Sequence, residues 1–244
     1  EFDGYDGRLT KQADVELLSY PLEFVSKREQ IARDLDYYAK VIDPDGPAMS
    51  FSVYSIVSAQ LGRPEEAYEY FKRGYLPNIR KPFFSFSETP LNDEPFFCTG
   101  AGGSLQALLA GFTGLRLRED HFVLSPTLPF QWQSLTLSAL YLLGVRTDLD
   151  ILPDRIRIRR GPKGCEVKLE VSRVEGRLLV VSRVDVAGEL HITDTTGRET
   201  TACRTPFSPK EAASVSMPAT SPIRVQVSTS AGEMLLDVVV ELRA

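Results

Sequence analysis

The sequence predicts a multidomain α+β protein, with a helical first part followed by an antiparallel β-sandwich. Up to about residue 118, apolar residues recur every three or four positions, which is the spacing of amphipathic helices. Beyond it, short stretches of alternating apolar and polar residues are separated by turn residues at intervals of about 8–12, which is typical of a sandwich. We therefore place the domains at residues 1–118 and 119–244.

Five helices are predicted in the first part, at residues 11–20, 27–41, 50–61, 64–75 and 104–111. Ser26 and Glu29 have the spacing of a capping box before the second helix. The third helix is apolar on most sides, which predicts that it is buried. A glycine turn, Gly100-Ala101-Gly102-Gly103, precedes the fifth. Strands do not alternate with helices here, so the sequence does not favour a doubly wound fold.

Nine strands are predicted in the second part, at residues 121–124, 135–143, 147–152, 155–159, 167–171, 178–181, 190–193, 223–227 and 235–242. Residues 198–222 are rich in Ser, Thr, Ala and Pro, and we expect a long surface connection there. Four arginines, at positions 155, 157, 159 and 160, could form a phosphate or nucleic-acid patch. Because acidic residues flank them, we interpret them as the solvated face of a strand.

Composition excludes several classes of function. The 28 basic and 33 acidic residues give a net charge of −5, which argues against a nucleic-acid partner. No apolar run approaches the roughly 20 residues of a membrane span. Cys98, Cys165 and Cys203 lack zinc spacing and are predicted to be free thiols, with one disulfide as the alternative. We expect no metal and no cofactor, and the sequence indicates no compartment.

Glu88 is the candidate catalytic residue, because it lies in an aromatic-rich loop. The aromatic residues around it are Phe83, Phe84, Phe86, Phe96 and Phe97. Such surroundings desolvate a carboxylate, which suits acid or base catalysis. The alternative is a loop that lines the core and carries a solvated glutamate.

Several short motifs, in this order, resemble glycoside hydrolase family 65. They are Lys11-Gln12-Ala13-Asp14-Val15, Gly46-Pro47-Ala48-Met49-Ser50, Phe86-Ser87-Glu88, Gly100-Ala101-Gly102-Gly103-Ser104-Leu105-Gln106, Gly111-Phe112-Thr113-Gly114-Leu115 and Val123-Leu124-Ser125-Pro126-Thr127-Leu128-Pro129. The resemblance covers about residues 9–150. It implies a six-hairpin glycosidase, in which the helices here close an (α/α)6 barrel before a C-terminal β-sandwich. It also implies inverting action on an α-glucosidic bond, with Lys11 and Gln12 binding the glucose.

The resemblance favours a hydrolase. Phosphorylases of the family hold phosphate with a serine pair and a histidine further along the chain. The corresponding segment Asp45-Gly46-Pro47-Ala48-Met49-Ser50-Phe51-Ser52 lacks the serine pair, and no histidine precedes His121. Hydrolytic members, such as acid trehalases, protein-glucosylgalactosylhydroxylysine glucosidases and kojibiose hydrolases, use a glutamate as base for water at the position of Glu88. Asp93 and Glu94 are nearby competitors. The sequence does not distinguish among the α-glucosides on which these members act.

The family's general acid lies upstream of Lys11 and is not in this chain. We therefore expect the chain to be inactive alone, and either to associate with a separate N-terminal polypeptide or to be a truncated piece. Three alternatives remain: a phosphorylase of the same family, a non-catalytic carbohydrate-binding protein, and a helical scaffold that binds no ligand.

Overall fold

The structure, a computed structural model, describes residues 8–94, 96–161, 165–194, 203–218 and 222–242. The chain divides into two compact units between Gly114 and Leu115. The first is helical and the second is built of strands, so the prediction of an α+β protein is confirmed. Among the described residues, no helix is both long and apolar enough to span a membrane.

The described residues of the first unit form four α-helices and one short two-stranded ribbon. They are α1 (Arg28–Tyr38), α2 (Ala48–Gln60), α3 (Pro64–Tyr75), β1 (Ile79–Arg80), β2 (Ser85–Phe86) and α4 (Cys98–Gln106), and a π-helical turn (Ala107–Phe112) extends α4. Helix α2 lies at the centre and packs against both α3 and α4. Most of its residues are buried, as its apolar character predicts. Serines on α2 help the neighbouring helices to approach; Ser55 Oγ donates to the carbonyl of Ala67 in α3 at 2.8 Å.

Three local predictions in this unit are wrong. The helix expected from Lys11 is only a 3₁₀ turn (Glu16–Leu18). The capping box does not form, because Lys27 takes the N-cap position of α1 and makes no side-chain cap. The predicted glycine turn lies inside α4 instead of preceding it. Glycine disfavours an isolated helix, but in α4 it permits close packing against α2, which outweighs local propensity.

The second unit, as far as its residues are described, is a sandwich of two six-stranded sheets. Its strands are β3 (Arg116–Leu117), β4 (Phe122–Leu124), β5 (Leu135–Leu142), β6 (Val145–Leu152), β7 (Arg155–Arg160), β8 (Val167–Val174), β9 (Arg177–Val184), β10 (Gly188–Asp194), β11 (Cys203–Phe207), β12 (Ala212–Pro218), β13 (Ile223–Thr229) and β14 (Met234–Val240). The strand orders are β11-β10-β13-β14-β4-β3 and β12-β9-β8-β7-β6-β5. Strands β14 and β4 run parallel, whereas the other pairs are antiparallel.

Apolar and polar side chains alternate along the strands, and the apolar ones form one core between the two sheets. On β7, Ile156 and Ile158 are buried while Arg157 and Arg159 are exposed, as predicted for a solvated face. Arg160 departs from that prediction. Its place in the alternation directs its side chain into the core, and it is only 7% exposed. Its Nη1 donates to Thr147 Oγ1 at 3.3 Å, and burial lowers the pKa of its guanidinium.

The long connection predicted at residues 198–222 contains two strands. Strand β11 pairs with β10 at the edge of one sheet, and β12 pairs with β9 at the edge of the other. Small polar residues are tolerated on an edge strand, since only one side of it joins the ladder. Composition alone therefore misled the prediction. Of the cysteines, Cys98 and Cys165 form no disulfide within the described residues, and the Cys203 side chain lies outside the described part.

Candidate functional site

Lys11 and Gln12 lie on a bend that the backbone holds in place. Just before the bend, Thr10 donates its N–H to the carbonyl of Val41 at 2.7 Å. The carbonyl of Lys11 then accepts a hydrogen bond from Ser50 Oγ, on α2, at 3.1 Å. These contacts fix the main chain and leave the two polar side chains exposed.

Glu88 follows β2 and is anchored by its own backbone. The N–H of Ala48, at the start of α2, donates to the carbonyl of Glu88 at 3.0 Å. The neighbouring Ser87 is buried and donates its N–H to the carbonyl of Asn78 at 2.9 Å. The Glu88 side chain remains 34% exposed, so its position is fixed while its carboxylate stays open to solvent.

Arg80 organises the loop that follows Glu88. Its Nη2 donates to the carbonyls of Thr89, Pro90 and Asn92 at 3.3, 2.9 and 2.7 Å. Its Nε binds Asp93 Oδ1 at 2.7 Å. This role of Arg80 is not predictable from the sequence, because no motif marks an arginine that binds main-chain carbonyls.

The structure brings two of the three predicted site residues together. Lys11 Nζ lies 3.7 Å from Glu88 Oε1, although the two residues are far apart in the chain. Gln12 instead lines a neighbouring cavity of about 340 Å³ between α2 and α4. Other polar residues of that cavity are Asp14, Ser50, Ser52, Thr99 and Gln106. Neither Lys11 nor Glu88 is part of its lining.

The aromatic side chains do not enclose Glu88 as expected. Phe83, Phe84 and Phe96 are 88%, 61% and 79% exposed, so they point to solvent and do not desolvate the carboxylate. Phe84 and Phe96 also have positive φ angles of 55° and 71°, which bulky residues rarely adopt. Only Phe86 and Phe97 are half-buried. The expected desolvation of Glu88 by this aromatic cluster is therefore wrong.

The glycines of α4 let this helix lie directly on α2. A Cβ at Gly103 would come within 3.0 Å of Ser52 Cβ, and one at Gly100 within 2.9 Å of Ala48 Cβ. A Cβ at Gly102 would meet nothing within 4 Å. Gly100 and Gly103 thus position the α4 wall of the Gln12 cavity, whereas Gly102 has no such role.

A second carboxylate, Glu16, lies buried on the 3₁₀ turn just after the Lys11–Gln12 bend. It is 3% exposed, and its Oε1 has no hydrogen-bond partner among the described residues. Burial raises the pKa of Glu16 to about 7, although the neighbouring Tyr54 hydroxyl opposes that rise. Burial and the charge of Glu16 in turn raise the pKa of Tyr54. Sequence patterns gave no signal for Glu16, because an acidic residue on a turn is ordinarily solvated.

The exposed pair of Lys11 and Glu88 can interact with sugar hydroxyls and with water. An ammonium donates to hydroxyls, and a carboxylate can accept a proton from water. The described residues contain no cluster of three or more His, Cys, Asp or Glu side chains that could hold a metal ion.

Comparisons with known proteins agree with the family resemblance that the sequence motifs indicate. Residues 2–83 match the central catalytic domain of glycosyl hydrolase family 65. The chain is therefore related to glycosyl hydrolase family 65. The resemblance inferred from the motifs is confirmed, and it includes the family's hydrolytic members.

Three relatives illustrate the similarity. The kojibiose hydrolase of Mucilaginibacter mallensis is 39% identical over 142 residues, which is 57% of this chain and 21% of that protein. The protein-glucosylgalactosylhydroxylysine glucosidase of Danio rerio is 37% identical over 160 residues, or 65% of this chain and 24% of that protein. The cell wall acid trehalase of Arthroderma benhamiae is 37% identical over 147 residues, which is 55% of this chain and 14% of that protein. The chain thus spans about a fifth of the length of the first relatives it matches.

Proposed function

We propose that this chain is the C-terminal part of an inverting α-glucosidase of family 65. Its helices would close an (α/α)6 barrel, with a domain boundary near residue 118, and its strands would form the C-terminal β-sandwich domain. The observation that carries the proposal is the approach of Lys11 Nζ to Glu88 Oε1 at 3.7 Å. Two motifs distant in sequence meet there, and the relatives that the chain resembles are named as hydrolases.

In this proposal Glu88 is the general base that activates water, and Lys11 and Gln12 bind the glucose. Glu88 suits the role because its backbone is fixed while its carboxylate remains accessible. Asp93 is a weaker candidate, since Arg80 binds it and its side chain is 91% exposed. The partner acid of an inverting pair stands about 6.5–9.5 Å from the base, which leaves room for a water molecule. We place that acid on the remaining part of the enzyme.

Water is favoured over phosphate as the nucleophile. A phosphate site needs cations or several hydrogen-bond donors that converge on the anion. In the segment where the family's phosphorylases hold phosphate, Ser50 Oγ already donates to the carbonyl of Lys11, and Ser52 is only 1% exposed. Lys11, the nearby cation, is paired with Glu88.

A chimera tests this function. This chain would replace the matching C-terminal part of the M. mallensis kojibiose hydrolase, and NMR would follow the glucose released from kojibiose. Each kojibiose gives two glucose molecules, and the one from the reducing end is released as both anomers. We expect an initial excess of the β-anomer over its equilibrium share, because inversion at the α-linkage gives a β-product. An initial excess of the α-anomer, or sugar phosphate formed when phosphate is added, would exclude an inverting hydrolase.

A further inference from the structure

The outward face of the sheet β12-β9-β8-β7-β6-β5 carries three cations in register. Arg159 on β7 lies opposite Lys168 on β8, and Lys168 lies opposite Arg183 on β9. Side chains directly opposite on antiparallel strands have Cβ atoms about 4.5–5.5 Å apart, and like charges so placed destabilise a sheet. This arrangement therefore costs stability unless an anion compensates it.

Carboxylates compensate two of the three cations in this row. Arg159 Nε lies 3.3 Å from Asp148 Oδ2, and Lys168 Nζ lies 2.7 Å from Glu166 Oε2. Arg183 is exposed, and its side chain has no ion pair or hydrogen bond within the described part of the chain. Its other cross-strand neighbour is Ala212, which carries no charge.

The adjacent row on the same face is arranged differently. There Asp150 lies opposite Arg157, and Arg157 lies opposite Glu170, so the charges alternate in sign. Arg157 Nε binds Glu170 Oε2 at 2.7 Å. The surplus positive charge of the cation row is therefore that of Arg183, which lies beside Lys168.

Both rows line one groove of about 490 Å³. This volume accommodates a small ligand. The guanidinium of Arg183 presents a planar fork of donors that matches an oxyanion, and Lys168 beside it adds a compact charge. Asp150 and Glu170, further along the groove, can accept hydrogen bonds from hydroxyl groups.

We propose that this groove binds an oxyanion, a phosphate or sulfate group, either free or carried by a small sugar. Arg183 and Lys168 bind the anion. The hydroxyls of a carrier sugar lie against Asp150 and Glu170. This site is additional to the Lys11–Glu88 site and involves only the β unit.

The test is an NMR titration of the full chain at constant ionic strength, with inorganic phosphate, sulfate and glucose 6-phosphate as separate probes. We expect saturable shifts of amides on β7, β8 and β9, and binding that Arg183→Ala weakens at least about ten-fold. Tighter binding of glucose 6-phosphate than of phosphate identifies a sugar as the carrier, whereas equal binding identifies the free anion.

Arg157→Ala is the matched control, since it removes the same charge from the same groove but from the balanced row. We expect it to change the affinity by less than about two-fold. The unchanged dispersion of the remaining amide signals verifies that both variants are folded. Shifts that do not saturate with any probe, or equal weakening by the two substitutions, would overturn the proposal.

Discussion

At the residue scale, the buried carboxyl of Glu16 has the most direct consequence for stability. Its pKa is raised from 4.5 to about 7, chiefly by burial, and the nearby carboxylates of Asp34 and Asp14 add to the rise. In the unfolded chain this carboxyl loses its proton near pH 4.5, whereas the folded protein retains it up to about pH 7. The unfolded state is therefore favoured increasingly across that interval.

We predict that the free energy of unfolding of the helical unit falls by roughly 3 kcal/mol as the pH rises from about 4.5 to about 7, and changes little above it. Glu16→Gln removes this carboxyl and should flatten that part of the pH profile. Urea unfolding at a series of pH values, followed through the amide signals of α2, measures the effect.

Glu29→Gln is the control, because Glu29 is exposed on α1. It should leave the pH profile of the parent chain intact. A Glu16→Gln profile as steep as that of the parent would show that another group titrates in this interval.

At the element scale, the contact between α2 and α4 depends on single glycines. We predict that Gly103→Ala destabilises the helical unit by about 1–3 kcal/mol, because the new Cβ would lie 3.0 Å from Ser52 Cβ and force the helices apart. Gly102→Ala should instead stabilise it by up to about 1 kcal/mol, because the new methyl has open space and alanine favours the helix. Urea unfolding of the two variants measures the difference.

The two glycines are adjacent in the same helix, so each substitution controls for the other. Equal effects of the two substitutions would mean that helix propensity, and not the packing of α4 on α2, determines the stability here.

The contrast between local propensity and tertiary packing also explains which helices and strands the sequence predicts correctly. Helix α3 has the predicted bounds, because Pro64 begins it and one apolar face follows at helical spacing. Strands such as β7 follow from strict alternation. Helix α4 begins at Cys98, earlier than the predicted start at residue 104, because its glycines satisfy a tertiary contact that local propensity cannot reveal. Arg160 is buried although the sequence predicts it to be exposed with the other arginines, because composition does not show on which face of the strand a residue lies.

The candidate site was predictable only where motifs mark it. Family motifs point to Lys11 and Glu88, the aromatic-rich loop also points to Glu88, and the fold brings the two side chains within 3.7 Å. Arg80 and Glu16 carry no motif, since one acts through main-chain carbonyls and the other through burial. The exposure of Phe83, Phe84 and Phe96 was not predictable from their apolar character, because the loop conformation determines it.

At the scale of the whole molecule, the helical unit exposes several large apolar side chains. They include Leu22, Phe24, Phe83, Leu91, Phe96 and Leu105, each more than 60% exposed. Exposed apolar side chains are common singly, but several on one small unit favour contact with further protein. This agrees with our proposal that the remainder of a catalytic barrel covers this unit.

The central claim is that Glu88 is the base of a glycosidase, and a substitution in the chimera with the M. mallensis kojibiose hydrolase tests it most directly. Glu88→Gln should lower kcat for kojibiose hydrolysis by at least about 100-fold and leave the thermal unfolding temperature nearly unchanged, because the amide keeps the shape but cannot accept the proton. Glu94→Gln, the same change at an exposed neighbour, should retain kcat within about two-fold. If the folded Glu88→Gln chimera turns over kojibiose as fast as the Glu94→Gln chimera, Glu88 is not the base.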